Sequence, residues 1–186
     1  MRKGNRTLGT FNLKAKLHLP SRLDPIGLNG AAKAASKTTQ GGEFLTFRLG
    51  EEEYGIDILR VQEIRSYEPP TKIANAPAYL KGVVNLRGVI VPIVDLRLKL
   101  QLPQVVYNDF TVVIILKLRG TIVGAVVDGV SDVVTLSAQS IKPAPQFESA
   151  LDARFILGLA HVGERMLIVM NLEALLGNAE IGVVVG

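Results

Sequence analysis

Few side chains in this 186-residue sequence are of the types that perform chemistry. The two histidines are His18, near the amino terminus, and His161, before a predicted turn; neither has a carboxylate or hydroxyl nucleophile at a recognisable spacing. General acid–base and nucleophilic catalysis need such partners within hydrogen-bond reach. The sequence has no cysteine, which excludes disulfides, thiolate metal sites and cysteine nucleophiles. We therefore expect a protein that is not an enzyme.

Two acidic segments are candidate cation sites. Asp128 and Asp132 lack the further oxygen ligands of an EF-hand loop, and Asp128-Gly129 is typical of a turn. Glu51-Glu-Glu53 is typical of a solvated hairpin tip. Phosphate-binding glycine loops, zinc-peptidase motifs and serine-hydrolase motifs do not occur in the sequence. The sequence predicts no metal site and no cofactor.

Arg87 is a stronger candidate, as a contact residue. The run from Gly82 to Arg97 contains two apolar strands joined by the turn Asn85-Leu-Arg-Gly88, which presents a cation at its tip. An arginine held there has lost part of its conformational freedom in advance, and its guanidinium suits a carboxylate or backbone oxygens. An ordinary exposed turn residue is the alternative. Phe147, in a proline-rich loop, either anchors an interface or folds back onto the protein.

The strands that position these residues occur twice. Predicted strands at about 44–49, 54–58, 61–65 and 82–95 are repeated at 111–118, 121–127, 130–136 and 158–172. Gly55 matches Gly124 at a shift of 69 residues, whereas Gly82 matches Gly158 at a shift of 76. An insertion in the loop at 142–148 accounts for the difference, because loops tolerate added length. Gly163-Glu164 replaces Arg87-Gly88, so the cation is expected at one hairpin only.

The repeated strands also predict the fold class. Asp95 and Asn171 occupy matching positions, and both are favoured N-caps, so a short helix is expected after each. Two copies of about five short strands, with tight turns and no long crossover helix, predict a mainly β protein of two five-stranded antiparallel β-barrels. A barrel of about 70 residues buries only a modest share of its surface, so we expect the two barrels to share an interface.

Charge divides the chain near residue 42. Residues 1–42 contain eight Lys/Arg and one acidic residue, whereas the remaining residues contain 13 Lys/Arg and 16 Asp/Glu. We predict a basic flexible tail over 1–42 and a folded domain over 43–186. The expected parts of that domain are subdomains at about 43–100 and 108–170 and a closing helix at 171–177.

The charge distribution and the apolar runs bear on partners and location. A pI of about 9.4 is typical of nucleic-acid binders, but the basic charge lies in the tail, and the rest lacks interleaved basic and aromatic residues. No apolar run reaches the ~18 residues of a membrane-spanning helix, and the tail lacks the apolar segment of a signal peptide. We expect a cytoplasmic protein that neither binds nucleic acid nor inserts into a membrane.

Several motifs together resemble the CheW family of bacterial chemotaxis coupling proteins. They are Tyr54-Gly-Ile-Asp-Ile58, Val61-Gln-Glu-Ile-Arg65, Asn85–Asp95 and Val127-Asp-Gly-Val-Ser-Asp-Val133. The likeness runs from about Glu43 to Leu176, so the tail and residues 178–186 depart from it. It implies a noncatalytic adaptor of two SH3-like barrels. Such an adaptor links chemoreceptor tips to the regulatory domain of the histidine kinase CheA, at receptor arrays on the inner face of the membrane.

The resemblance also assigns residues to partners. It implies that the receptor binds Arg87, Gly82, Val112, Val130 and Val133. It implies that CheA binds Val61, Glu63 and Ile64, with a second surface at Lys142 and Phe147 that closes rings of kinase and coupling protein. Further copies of the chain are expected in such rings.

Two other interpretations stay open from the residues alone. The chain could be a fragment, such as the regulatory domain of a kinase or the coupling half of a fused receiver protein. It could also be an enzyme or a nucleic-acid binder, an interpretation that rests on the pI and on His161.

Overall fold

Ten strands and two short α-helices form the fold in a computed structural model, which describes residues 40–145 and 153–177. The strands are β1 (Gly42–Leu49), β2 (Glu52–Asp57), β3 (Val61–Ser66), β4 (Leu80–Leu86), β5 (Val89–Asp95), β6 (Val112–Leu118), β7 (Thr121–Val127), β8 (Gly129–Leu136), β9 (Ile156–Val162) and β10 (Arg165–Met170). Helix α1 (Leu96–Lys99) follows β5, and α2 (Leu172–Leu175) follows β10. Residues 1–39, Phe147 and 178–186 lie outside the described residues.

The ten strands form two five-stranded sheets. Sheet 1 has the order β8-β1-β2-β10-β9, and sheet 2 has the order β3-β6-β7-β5-β4. Neighbouring strands are antiparallel except for one pair in each sheet, β2 with β10 and β5 with β7. The predicted mainly β fold of two five-stranded units is confirmed. The short helices are confirmed as well, because Asp95 and Asn171 each cap a helix through a side-chain oxygen.

Each sheet combines strands from both halves of the chain. The β1–β2 hairpin lies between β8 and the β9–β10 hairpin, and the β6–β7 hairpin lies between β3 and the β4–β5 hairpin. The parallel pairs match across the repeat, since Gly55 is opposite Val169 and Gly124 is opposite Ile93. The two copies are therefore related by an internal pseudo-twofold exchange of hairpins. This corrects the expected subdomains at 43–100 and 108–170, because neither segment forms a sheet by itself.

The largest apolar cluster joins residues of the two sheets. Phe47 and Tyr54 of sheet 1 and Ile114 and Leu116 of sheet 2 belong to it, and all are buried. Two smaller clusters lie within the individual sheets, one around Leu167 and Val169 of sheet 1 and one in sheet 2. The expected shared interface is therefore confirmed, and the two sheets depend on each other for burial of their apolar residues.

A buried ion-pair cluster also joins the sheets. The Arg97 side chain is fully buried, and its Nε and Nη2 atoms donate to Oδ1 and Oδ2 of Asp95 at 3.0 and 2.8 Å. Its Nη1 atom donates to Oδ1 of Asp128 at 2.7 Å. The other oxygen of Asp128 accepts a hydrogen bond from the backbone N–H of Gly50, at 2.7 Å, in the turn between β1 and β2. Hydrogen bonds therefore run from α1, beside sheet 2, to a hairpin of sheet 1.

Tyr107 completes this cluster from the loop before β6. Its hydroxyl donates to Oδ2 of Asp95 at 2.7 Å, and the guanidinium carbon of Arg97 lies 4.6 Å from the centre of its ring. Burial lowers the pKa of Arg97, but the hydrogen bonds to Asp95 and Asp128 raise this pKa by more, so the net direction is upward. The guanidinium therefore stays charged. Burial and the hydrogen bond to Asp95 raise the pKa of Tyr107.

The position equivalent to Arg97 in the second repeat carries the opposite charge. Glu173 stands 76 residues after Arg97, and its carboxylate accepts a hydrogen bond from Nε of Arg119 at 3.0 Å and lies 3.1 Å from Nη2 of Arg60. These arginines are 78% and 45% exposed. The two copies thus use matching positions for ion pairs, but the Arg97 cluster is buried and the Glu173 cluster is not.

The difference in burial predicts a difference in stability. Removing one partner of a buried ion pair leaves the other charge without compensation, which costs about 3–5 kcal/mol. We expect Arg97→Met to lower the free energy of unfolding by about this amount, measured by urea denaturation and far-UV circular dichroism. Arg119→Ala is the matched control, because an exposed ion pair contributes about 1 kcal/mol or less. Equal losses for the two variants would contradict this assignment.

Candidate interaction surface

The hairpin between β4 and β5 presents Arg87 to solvent. Arg87 and Gly88 both have positive φ values, 51° and 87°, as in the two-residue turns that connect twisted antiparallel strands. The side chain of Asn85 fixes the turn, because its Oδ1 accepts a hydrogen bond from the N–H of Gly88 at 2.8 Å. The predicted turn with an exposed cation is confirmed, and the Arg87 side chain is 83% exposed.

Arg87 forms an ion pair with an edge strand of the same sheet. Its Nη2 atom lies 2.8 Å from Oε2 of Glu63, on β3. Since β3 and β4 are the two edges of sheet 2, the pair connects the hairpin at one edge to the strand at the other. An exposed pair of this kind contributes about 0–1 kcal/mol to stability, so a partner can replace it at little cost. The pair joins one residue assigned to the receptor with one assigned to CheA.

A depression of about 150 Å³ with a mixed polar and apolar lining lies beside this ion pair. It is lined by Gln62, Glu63, Leu86, Arg87, Val89, Val91, Ile115 and Ile122. On the adjoining hairpin, Val89 and Ile90 are 46% and 61% exposed. This surface combines exposed apolar side chains, one cation and one carboxylate next to a strand edge. Such a surface is suited to bind another protein rather than to perform chemistry.

The corresponding edge of sheet 1 is β8. Val130 is half-buried against the cluster that joins the sheets, and Val133 is 46% exposed. Val61 and Ile64 occupy the matching positions of β3, 69 residues earlier, and also pack against that cluster. The residues assigned to the receptor on β8 and to CheA on β3 are therefore related by the internal pseudo-symmetry. Val112, on β6, packs against the same cluster.

Two other assigned residues have different surroundings. Gly82 is buried with φ of 140°, and a Cβ atom there would overlap the carbonyl oxygen of Thr71. It therefore positions the β4–β5 hairpin and offers no side chain to a partner. Lys142 exchanges two backbone hydrogen bonds of 2.8 Å with Leu159 and is exposed. Phe147 is not among the described residues.

The β9–β10 hairpin, which is equivalent to the β4–β5 hairpin in the second repeat, also presents a cation. The expectation that only one of these two hairpins carries a cation was therefore wrong. Arg165 follows the turn glycine Gly163 by two residues. Its Nη1 atom lies 2.8 Å from Oε1 of Glu53, and its Nη2 atom lies 3.4 Å from Oδ2 of Asp132. Asp132 occupies on β8 the position that Glu63 occupies on β3. The comparison of turn residues missed this pair because the second arginine lies beyond the turn and is not in the matching position.

The candidate groups for metal binding or acid–base catalysis either form ion pairs or are exposed. Asp128 and Asp132, considered as a cation loop, form ion pairs with Arg97 and Arg165. His161 is exposed on β9. Within residues 40–145 and 153–177, no three His, Asp or Glu side chains are grouped to hold a metal ion. In the same ranges, no helix has the length and apolar character needed to cross a membrane.

A doubled β fold with exposed apolar side chains and ion pairs along two strand edges is typical of a protein-binding scaffold. Residues 43–180 match the family model of the CheW-like domain. The chain belongs to this CheW-like family and is a scaffold protein of bacterial chemotaxis.

Similar proteins of known sequence or structure agree with this family. The chain is 54% identical to chemotaxis protein CheW of Klebsiella aerogenes over 158 residues, which cover 85% of this chain and 95% of the relative. It is 36% identical to a probable chemotaxis protein CheW of Rhizobium etli over 148 residues, or 79% of this chain and 96% of the relative. The crystal structure of scaffolding protein TtCheW from Thermoanaerobacter tengcongensis matches with a TM-score of 0.70 and 30% identity, over 76% of this chain and 96% of that one.

The two glycines of the β4–β5 hairpin provide a test of its positioning. Both have positive φ, but a Cβ atom at Gly82 would overlap Thr71, whereas no atom lies within 4 Å of a Cβ atom at Gly88. We expect Gly88→Ala to cost about 1–3 kcal/mol from backbone strain alone. Gly82→Ala should lower the free energy of unfolding by more, measured by urea denaturation. A smaller loss for Gly82→Ala than for Gly88→Ala would show that the contact with Thr71 does not constrain the hairpin.

Proposed function

We propose that this scaffold is a noncatalytic adaptor that couples the cytoplasmic tips of chemoreceptors to the histidine kinase CheA. The observation that carries the proposal is the pair of pseudo-equivalent edge strands, β3 in sheet 2 and β8 in sheet 1. Each edge strand carries valine or isoleucine side chains next to a carboxylate. That carboxylate forms an ion pair with an arginine on a hairpin of the same sheet. Two such edges allow one chain to bind two neighbours at once.

The surface for CheA is β3. Val61, Glu63 and Ile64 lie on this strand, beside the depression and the exposed Val89. The regulatory domain of CheA, which the resemblance describes as homologous, would contribute a similar β surface. Edge strands present unpaired backbone groups that suit such a partner. Lys142 and Phe147 would form the second CheA surface, through which kinase and further copies of this chain close rings.

The surface for the receptor lies along β8 and the neighbouring residues of the cluster that joins the sheets. Val130, Val133 and Val112 supply apolar contacts. Arg87, at the tip of the β4–β5 hairpin of sheet 2, supplies the cation. Gly82 contributes indirectly, by holding the hairpin that carries Arg87. No cofactor, metal or nucleic acid takes part, and the site of action is the receptor array at the inner face of the membrane.

The Arg87–Glu63 pair offers a physical route for communication between the two partners. A receptor carboxylate that binds Arg87 releases Glu63, and this changes the charge that β3 presents to CheA. Exchange of partners is inexpensive because the arginine is 83% exposed, and exposed ion pairs contribute about 1 kcal/mol or less. Arg65, whose Nη1 lies 4.0 Å from Oε1 of Glu63, remains beside the released carboxylate.

Reversing the charge at Arg87 tests the receptor surface. We expect Arg87→Glu to raise the Kd for a receptor-tip fragment by about tenfold, equivalent to about 1.4 kcal/mol, because the cation is lost and Glu63 then faces a second carboxylate. The free energy of unfolding should change by about 1 kcal/mol or less. Titration with the receptor fragment and urea denaturation measure the two quantities separately.

Arg119→Glu is the matched control for this experiment. Arg119 also has a positive φ, 48°, precedes a turn glycine, is 78% exposed and contacts a glutamate, Glu173. The control should therefore keep the wild-type Kd for the receptor fragment. Equal weakening by the two variants, or binding of neither receptor nor CheA by the wild-type chain, would contradict the proposed function.

A further inference from the structure

A buried hydroxyl group holds the edge strand of sheet 1. Thr46, on β1, is 1% exposed and lies opposite a β-bulge in β8. Leu45 pairs with Val133 and Phe47 pairs with Val130, so Ser131 and Asp132 together face Thr46. Two residues opposite one are the mark of a bulge, which interrupts the backbone ladder and redirects the side chains that follow.

The Thr46 hydroxyl replaces the interrupted ladder with side-chain hydrogen bonds. Its Oγ1 atom donates to Oδ1 of Asp132 and accepts a hydrogen bond of 3.1 Å from the N–H of Asp132. On its other side, the Asp132 carboxylate faces Arg165, which Glu53 of β2 also contacts. The backbone and the side chain of Asp132 are therefore both tied to sheet 1.

The matching edge of sheet 2 has the same bulge but not the same hydrogen bonds. Val61 pairs with Leu116 and Glu63 pairs with Ile115, so Gln62 is the extra residue of β3. Ile115 stands 69 residues after Thr46, and its side chain has no hydrogen-bonding group. The Glu63 side chain instead faces the cations Arg87 and Arg65, which are 83% and 48% exposed. The two edge strands therefore have the same backbone bulge. The buried Thr46 hydroxyl fixes the bulge of β8, whereas Ile115 cannot form such a hydrogen bond to β3.

We infer that Thr46 is a positioning residue for the receptor surface, an inference that rests on the proposed function. By fixing Asp132 it sets the geometry of the bulge, and the bulge determines how the adjacent Val133 and the preceding Val130 face a partner. A surface ordered in advance loses less conformational freedom on binding. β8 is therefore a rigid edge, whereas β3 can exchange the partners of Glu63.

Three variants of the full chain test this inference. Thr46→Val removes the hydroxyl at nearly constant volume, and Thr46→Ser keeps it. Arg165→Gln removes the exposed cation on the other side of Asp132 and leaves the core unchanged, so it reports on the same edge even if Thr46→Val folds poorly. Tyr54→Phe is the matched control, because it removes another hydroxyl of sheet 1, which donates to Glu52 of its own strand, β2, at 2.8 Å.

The readouts are the Kd values for a receptor-tip fragment and for the CheA regulatory domain, and the hydrogen-exchange rate of the Asp132 amide. Thr46→Val should weaken receptor binding by about tenfold, because a fixed polar pair is lost, and should leave CheA binding within about twofold. It should also accelerate exchange at Asp132. Arg165→Gln should weaken receptor binding in the same selective way. Thr46→Ser and Tyr54→Phe should resemble the wild-type chain.

A purely structural role for Thr46 would weaken binding of both partners equally, and that result would overturn the inference. An unchanged receptor Kd in Thr46→Val would also overturn it, provided that the wild-type chain binds the receptor fragment. Failure of the wild-type chain to bind the fragment would overturn the proposed function itself and with it the receptor role of Thr46. Exchange at Asp132 reports separately on the hydrogen bond, and an unchanged rate in Thr46→Val would contradict the geometry.

Discussion

The exchange of hairpins between the two sheets is the constraint on which the rest of the structure depends. Each sheet is completed by the parallel pairing of a strand from one half of the chain with a strand from the other, β2 with β10 and β5 with β7. Neither half can therefore satisfy its backbone hydrogen bonds alone. The apolar cluster that joins the sheets and the buried Arg97 ion pairs follow from this arrangement, because exchanged hairpins bring the two sheets into contact. Long-range pairing of this kind also makes folding depend on distant contacts.

The same exchange places two pseudo-equivalent strands at sheet edges, β3 in sheet 2 and β8 in sheet 1. The third strand of each repeat, β3 or β8, lies beside the first strand of the other repeat, and within the described residues no strand is hydrogen-bonded to its outer side. Duplication thus produces two related surfaces without any further element. Side chains then make the surfaces different: Thr46 and Arg165 hold Asp132 on β8, whereas exposed arginines face Glu63 on β3. An adaptor needs this combination of similar geometry and different chemistry to distinguish two partners.

Local features of the fold could be predicted from the sequence, whereas the pairing of distant strands could not. Alternating apolar residues located the strands, and Asp95, Asn171 and the turn at Arg87 located the helices and the hairpin tip. Strands that are apolar on both faces carry little information about their neighbours, so the repeat was interpreted as two successive barrels. In the sequence, Thr46 is an ordinary polar residue of an alternating strand. Its role could not be predicted, because it depends on a bulge 86 residues further along the chain. The Arg97 cluster was missed for the same reason, since Asp128 lies 31 residues further along the chain.

The adaptor role is tested most directly by reconstitution of CheA with receptor-containing membranes, in the presence and absence of the full chain. The quantity to measure is the rate of CheA autophosphorylation. The two-edge account predicts that receptors change this rate when the chain is present and do not change it when the chain is omitted. An equal response of CheA to receptors in both cases, or no response with the chain present, would contradict the account.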